Sequence, residues 1–247
     1  MKNIYLSTTD PNAHLLAKKW DLGIELAEFC TAWNMDREFA AVDPQVREKL
    51  GYSDRFVLHA PFNELFPCAI DPQARELAAR RYRQAMALAG SYGIGKLVIH
   101  GGFQPFMYYP VWYVEQSIVF WKEFMQCVPE DMVLCLENVL ETEPDMLKDI
   151  VAAVDDPRLR LCLDVGHVNA YSHIPVEQWL AQWSPWLAHY HIHNNDSSAD
   201  THCPVFQGSL DMARLLKEIQ RLTPQATVTL ELYESESSLR WMQEVGL

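Results

Sequence analysis

The stretch LRLCLDVGHVNAYSHIPVEQWLAQWSPWLAHYHIHNND, residues 159–196, holds one pattern twice. Leu159–Asp164 and Leu187–His193 are short apolar runs that turn acidic or basic at their C-terminal ends. Between them Pro175–Gln182 has the length and apolar spacing of a helix. Strand, helix and strand within about 30 residues is the signature of a parallel βαβ unit, whose crossover helix lies on the sheet.

The same rhythm extends in both directions. Strands are expected at Ile4–Ser7, Gly23–Leu26, Phe56–His59, Leu97–His100, Val133–Glu137, Leu159–Asp164, Leu187–His193 and Val228–Glu231. Helices are expected near Ala13–Trp20, Asp43–Leu50, Asp71–Ser91, Val111–Cys127, Pro144–Val154, Pro175–Gln182, Asp211–Arg221 and Ser235–Val245. Asp43-Pro44 and Asp71-Pro72 read as an N-cap acid before a first-turn proline, and Glu143-Pro144 is similar. Ala78, Tyr82, Ala85, Met86 and Ala89 form the stripe of a helix lying on a sheet, which ends at Gly93. Eight such units without a Pro/Gly/Ser linker predict a single (β/α)8 TIM barrel spanning residues 1–247. A doubly wound sheet is the alternative, because strand count does not prove closure.

Composition narrows the function classes. A net charge of −13 argues against a surface built for phosphodiester backbones. The first residues, MKNIYLSTTD, enter a strand-like pattern without the apolar run of a signal peptide, and no stretch reaches membrane-span length. The six cysteines include no CxxC pair, and Cys135 and Cys162 read as small buried hydrophobes. A cytoplasmic protein without nucleic-acid or membrane partners is the expectation.

Polar residues collect where the strands end. VLHAP places His59 there, LVIHGG His100, LCLEN Glu137, LCLDVGH Asp164, HYHIHNND His191 and TLEL Glu231. In a barrel all these ends ring one mouth, where active sites of this fold are built. His167, Asp200 and His202 follow closely enough in sequence to reach the same space. Each alone reads as a rim hydrogen bonder or a helix cap. Together, nine histidines and carboxylates would desolvate and repel one another without cations. The loops after the strands offer only Arg37 as a base, which leaves divalent metal as the source of positive charge.

These motifs, in this order, resemble the xylose-isomerase-like TIM barrels, which include sugar isomerases and epimerases and the abasic-site endonucleases. The resemblance rests on HAP at 59–61, HGG at 100–102, EN at 137–138, DVGH at 164–167, HIHNND at 191–196, DTH at 200–202, Gly208 and Glu231. For the sugar-modifying branch it implies one divalent ion held by Glu137, Asp164, His191 and Glu231. The two glutamates there also move the substrate proton, and His167 touches substrate. For the endonuclease branch it implies three zinc ions on that set together with His59, His100, His167, Asp200 and His202. Asn194 stands where many relatives carry Asp, and Phe206 stands in a stretch that is usually glycine-rich.

The acidic mouth weighs against DNA and weakens the case for sugar phosphates. The loops are rich in aromatics, among them Phe62, Trp112, Phe106, Tyr109 and Tyr171, whose faces suit the C–H faces of sugars and polyols. A metal-dependent sugar, polyol or keto-sugar isomerase or epimerase is therefore expected, with Glu137 and Glu231 as the proton-transferring pair. His167, His193, Asn138, Phe62, Trp112 and Arg37 are its expected substrate contacts, with His193 at the rim and His189 deeper in the barrel. The alternatives are a trinuclear-zinc phosphoesterase acting on something smaller than DNA and a non-catalytic metal- or sugar-binding barrel. Histidine ligands lean towards zinc or manganese over magnesium, with cobalt open. Trp121 and Trp241, as helix-face aromatics, are consistent with a homodimer.

Overall fold

The computed structural model describes residues 3–247; Met1 and Lys2, at the start of the expected 1–247 span, lie outside the described residues. Eight parallel strands close into a barrel in chain order. They are β1 (Ile4–Ser7), β2 (Gly23–Leu26), β3 (Phe56–His59), β4 (Lys96–His100), β5 (Val133–Glu137), β6 (Leu159–Asp164), β7 (Leu187–Ile192) and β8 (Thr227–Leu230). β1 pairs with both β2 and β8, so the sheet has no edge and the doubly wound alternative is excluded. Ten α-helices accompany the strands among the described residues: α1 (Ala13–Trp20), α2 (Ala32–Asp36), α3 (Phe39–Lys49), α4 (Pro72–Ser91), α5 (Pro110–Phe124), α6 (Asp145–Val154), α7 (Val165–Tyr171), α8 (Val176–Trp183), α9 (Met212–Leu222) and α10 (Glu236–Glu244). None among the described residues is long and apolar enough to cross a membrane.

Each strand alternates between two environments. Leu6, Ile24, Leu58, Ile99, Leu134, Leu136, Leu161 and Leu163 are buried in the large core shared with the helices. Tyr5, Val57, Val98, Cys135 and Cys162 form a separate, smaller cluster. Gly23 makes room for Tyr5, since a Cβ there would lie 2.3 Å from its ring. Above this apolar plug the interior turns polar, with Glu25, His189 and Thr229 all buried.

Helix starts follow the sequence signals unevenly. Asp71 caps α4 by accepting from Gln73 N, with Pro72 in the first turn. Asp43 is not a cap: α3 begins at Phe39 and carries Pro44 inside it. The Asp43 side chain is occupied elsewhere, pairing with Arg47 one turn on and accepting from Tyr92 Oη at 2.6 Å. Pro144 is itself the residue before α6, so Glu143 does not cap it. Apolar periodicity signals neither α2 nor α7; each is short and starts from a side-chain cap, Thr31 for α2 and Asp164 for α7. Trp121 offers no dimer surface, because it is fully buried and stacks on Tyr82 at 5.7 Å.

Candidate metal centre

The last inward positions of the strands face the mouth, as the period of two requires. His59, His100, Glu137 and Asp164 end β3, β4, β5 and β6, and His191 lies on β7. Glu231 stands one residue beyond β8, yet its N–H still donates to Ile192 O across the ladder. The donor atoms of Glu137, Asp164, His191 and Glu231 all lie within 4.8 Å of one another. The same spacing joins His59 and His100 to Glu137, and groups His167, His193, Asp200 and His202 a short distance away.

The proton positions on the imidazoles follow from their partners. His59 Nδ1 donates to Ala60 O at 2.9 Å, His167 Nδ1 to Asn138 O at 2.8 Å and His202 Nδ1 to Glu231 O at 2.8 Å. A carbonyl oxygen only accepts, so each ring carries its proton on Nδ1. Each Nε2 then faces a carboxylate: His59 meets Glu137 at 3.3 Å, and His167 and His202 both meet Asp200 at 3.2 Å. His191 is turned the other way, with Nε2 on Glu25 at 2.9 Å and Nδ1 3.1 Å from both Glu137 and Glu231. A neutral imidazole would point a lone pair at each of these oxygens, which is repulsive. Only an added proton or a cation reverses the sign.

Without a cation the protons must serve. Burial pulls the His167 and His191 rings down, but it is outweighed, for His167 by Asp164, Asp200 and Glu137 and for His191 by Cys162, then Glu25, Glu137 and Glu231, so that both stand well above the ordinary histidine value. His202 is raised the same way to about 9, against its own desolvation and chiefly by Asp200. His100 is half-buried and desolvated, which lowers it to about 4. Burial pushes the Glu137 carboxyl up, while His191 and His100 hold it well below the usual range. Asp164, Asp200 and Glu231 are lowered too, each against its desolvation and by adjacent imidazoles. Even so, Glu137 Oε2 and Asp200 Oδ1 are buried with no hydrogen-bond partner. Carboxylate and imidazole donors with orphaned oxygens between them fit a divalent ion.

The expected substrate contacts are dispersed by their surroundings. Phe62 stacks on His100 with centroids 4.3 Å apart and stays half-exposed at the mouth. Asn138 is buried and spends both amide atoms on the backbone of Asp164. His193 is not at the rim: it is fully buried, lies 3.1 Å from Asp164 and stacks beneath His202. Trp112 turns its indole N–H to Cys68 O at 2.9 Å, fastening the β3–α4 loop to α5. Arg37 caps the C-terminal end of α2 and is exposed. Asn194 pins the loop after β7 by donating to Val205 O and Leu210 O.

Three buried acids escape a reading of strand ends and loops: Asp10, which accepts from Asn12 N and Ser235 N at 2.8 Å each, Glu25 and Glu141. Glu25 sits inside GIEL on β2, where its Oε1 and Oε2 reach His191 and His189. A lone acid in an apolar strand is the available signal, since a buried carboxylate needs partners. Glu141 lies behind the mouth, accepting from Tyr113 Oη at 2.7 Å and Val139 N at 2.8 Å.

Comparison with known proteins agrees with the fold. A family model described as xylose isomerase-like TIM barrel matches residues 20–245. An uncharacterized protein of Methanocaldococcus jannaschii is 25% identical over 192 residues, or 73% of this chain, which spans 65% of that relative's length. A D-tagatose 3-epimerase-like protein superposes with a TM-score of 0.81 at 19% identity, covering 99% of this chain and 97% of the other. A Thermus thermophilus protein soaked with ZnCl2 gives 0.79 at 24% identity, covering 98% and 97%.

Proposed function

The chain belongs to the xylose isomerase-like TIM barrel family, and from that premise we propose that it is a metal-dependent isomerase or epimerase of a small uncharged sugar, polyol or keto-sugar. The observation that carries the reading is the pair Glu137 and Glu231, which come from different strands and lie 3.1 Å from the same His191 nitrogen. Two ionised carboxylates converging on one point suit removal of a proton on one side of a substrate and its return on another.

Glu137, Asp164, His191 and Glu231 would hold the ion, and its chemistry is that of a Lewis acid polarising a carbonyl. Zinc or manganese suits the mixed imidazole and carboxylate set. Glu137 accepts the proton from the carbon beside that carbonyl at a carboxylate oxygen. Glu231, ionised at rest, would take a proton from solvent and pass it on, giving an epimer if to the opposite face of the same carbon and an isomer if to the neighbouring carbon, while the proton on Glu137 leaves to solvent. His100 and Phe62, stacked with centroids 4.3 Å apart, would meet a hydroxyl-bearing ligand at the mouth. Among the described residues the loops after the strands contribute no Lys or Arg except the exposed Arg37, which favours a neutral substrate.

The test combines metal counting with a substrate screen of neutral ketoses, aldoses, inosose-like polyols and phosphomonoesters. One tightly held ion per chain and turnover of a neutral carbonyl compound are expected, with solvent deuterium entering the substrate. Glu137→Gln and Glu231→Gln should each lower turnover by about 10²–10⁴-fold while still binding metal. Full activity in both variants would overturn the assignment.

A second reading rests on the separate grouping of His167, His193, Asp200 and His202. Three zinc ions per chain with hydrolysis of a phosphomonoester would favour a small-substrate phosphoesterase. Metal binding without turnover of any screened compound would favour a binding barrel.

A further inference from the structure

We infer that Glu25 and Lys96 are positioning residues that fix which nitrogen of His191 faces the metal, through a directed chain of hydrogen bonds inside the barrel. The inference rests on the metal reading given above. Lys96 opens β4 at the end of the barrel away from the mouth, and its Nζ lies 2.8 Å from Thr227 Oγ1 and 3.1 Å from Ala188 O. A lysine ammonium has only protons to give, so Thr227 Oγ1 accepts from it. The Thr227 hydroxyl proton is then free for His189 Nδ1 at 2.5 Å, a much closer partner than Ala188 O at 3.3 Å. With Nδ1 accepting, His189 carries its proton on Nε2, which points at Glu25 Oε2 at 2.9 Å.

Glu25 receives from three sides. His189 Nε2 and Thr229 Oγ1 reach Oε2 at 2.9 and 2.5 Å, and His191 Nε2 reaches Oε1 at 2.9 Å. The carboxylate can only accept from all three, so the His191 proton is held on Nε2. Its Nδ1 is thereby left as the donor atom that meets Glu137 and Glu231, both 3.1 Å away. Neither Glu25 nor Lys96 belongs to the group of Glu137, Asp164, His191 and Glu231, and the Glu25 carboxylate, although close to His59 as well, faces the Nε2 side of His191. They act by choosing a tautomer and a ring angle, the part that a carboxylate behind a ligating histidine plays in general. A glutamine at position 25 cannot do this, since its amide turns a donor towards one of the two rings.

The experiment measures zinc affinity by chelator competition on metal-free wild type, Glu25→Gln and Thr227→Val, with thermal unfolding of each. Imidazole ¹⁵N shifts of the zinc-loaded proteins report which nitrogen of His191 bears the proton. Glu25→Gln should bind zinc about 10- to 100-fold more weakly, and wild-type His191 should carry its proton on Nε2. Thr227→Val, farther along the chain, should shift affinity in the same direction by less, and it decides the matter if Glu25→Gln does not fold. Wild-type affinity in a folded variant, or a zinc-loaded wild type with the His191 proton on Nδ1, overturns the positioning role alone. A wild type that takes up no zinc overturns the metal reading as well.

Discussion

Asn138 holds Asp164 by both of its backbone groups, donating to Asp164 O at 3.0 Å and accepting from Asp164 N at 2.9 Å. The clamp joins the end of β5 to the end of β6 and sets where the Asp164 carboxylate stands. In Asn138→Ala a buried N–H and C=O lose their partners, an expected cost of about 1–3 kcal/mol for each group. Urea unfolding reads that loss, and zinc titration of the same variant should show weakened binding. Unchanged stability would mean that β6 holds its end without the clamp.

Gly166 follows the clamp by two residues and lies under His193. A Cβ at 166 would sit 1.9 Å from His193 Cε1, with a rigid ring rather than a flexible tip in the way. Gly166→Ala should cost about 1–3 kcal/mol and displace His193 from Asp164. Lower melting temperature together with reduced zinc uptake is the expected result. An alanine variant with wild-type behaviour in both would show that the ring can swing aside.

Glu141 gives a pH signature away from the proposed ligands. Burial raises its carboxyl above the ordinary value, and the hydrogen bonds from Val139 N and Tyr113 Oη only partly offset this. A folded-state value above the unfolded one means that its contribution is fully present below the unfolded value and is lost as pH rises through the folded value. Glu141→Gln should therefore gain stability relative to wild type as pH rises from the ordinary glutamate range through the raised folded-state value. Urea midpoints at the two ends check the sign, and a gap that widens in wild type's favour towards high pH contradicts it.

Metal uptake should release protons. His202 titrates at about 9 in the metal-free protein, so it is charged at neutral pH, and a metal must displace that proton to use Nε2. Binding at the His202 cluster should tighten as pH rises towards about 9. Calorimetry in buffers of different ionisation enthalpy counts the protons directly. Uptake without proton release would place the ion away from His202 and from His191, whose ring is likewise held well above the ordinary histidine value.

Trp121 tests the shell independently of the mouth. It is fully buried, stacked on Tyr82 and edge-on to Phe124. Trp121→Ala should cost about 3–5 kcal/mol in unfolding free energy and leave zinc stoichiometry unchanged. A fall in stoichiometry would tie α5 packing to the metal site.

The strand ends are legible in sequence because burial on both faces of a barrel strand makes any polar residue conspicuous against its apolar body. His59, His100, Glu137, Asp164 and His191 can be read in that way, and each occupies a strand end or the last inward position. Side-chain direction is less legible. Asn138, His193 and Trp112 look like ligand contacts by their place in the chain, yet the Asn138 amide and His193 Nε2 are committed to Asp164 and the Trp112 N–H to Cys68 O. Such commitments join residues far apart in the chain and leave no local pattern. Glu25 is visible as a lone acid inside GIEL, but its partners lie on β7 and β8, so its role leaves no local pattern either. Pro44 misleads because a proline after an acid is a good start signal only when no earlier turn is available, and here Phe39 supplies one.

The mouth with a single exposed arginine, in a chain of net charge −13, has a kinetic meaning as well as a thermodynamic one. An anion drifting towards it climbs a repulsive potential that dissolved salt flattens, so its capture should quicken as ionic strength rises. A neutral polyol feels no such barrier and should arrive at the same rate in dilute buffer and in brine. Ionic strength thus acts as a sieve on the molecules that reach the barrel, operating before any side chain touches them.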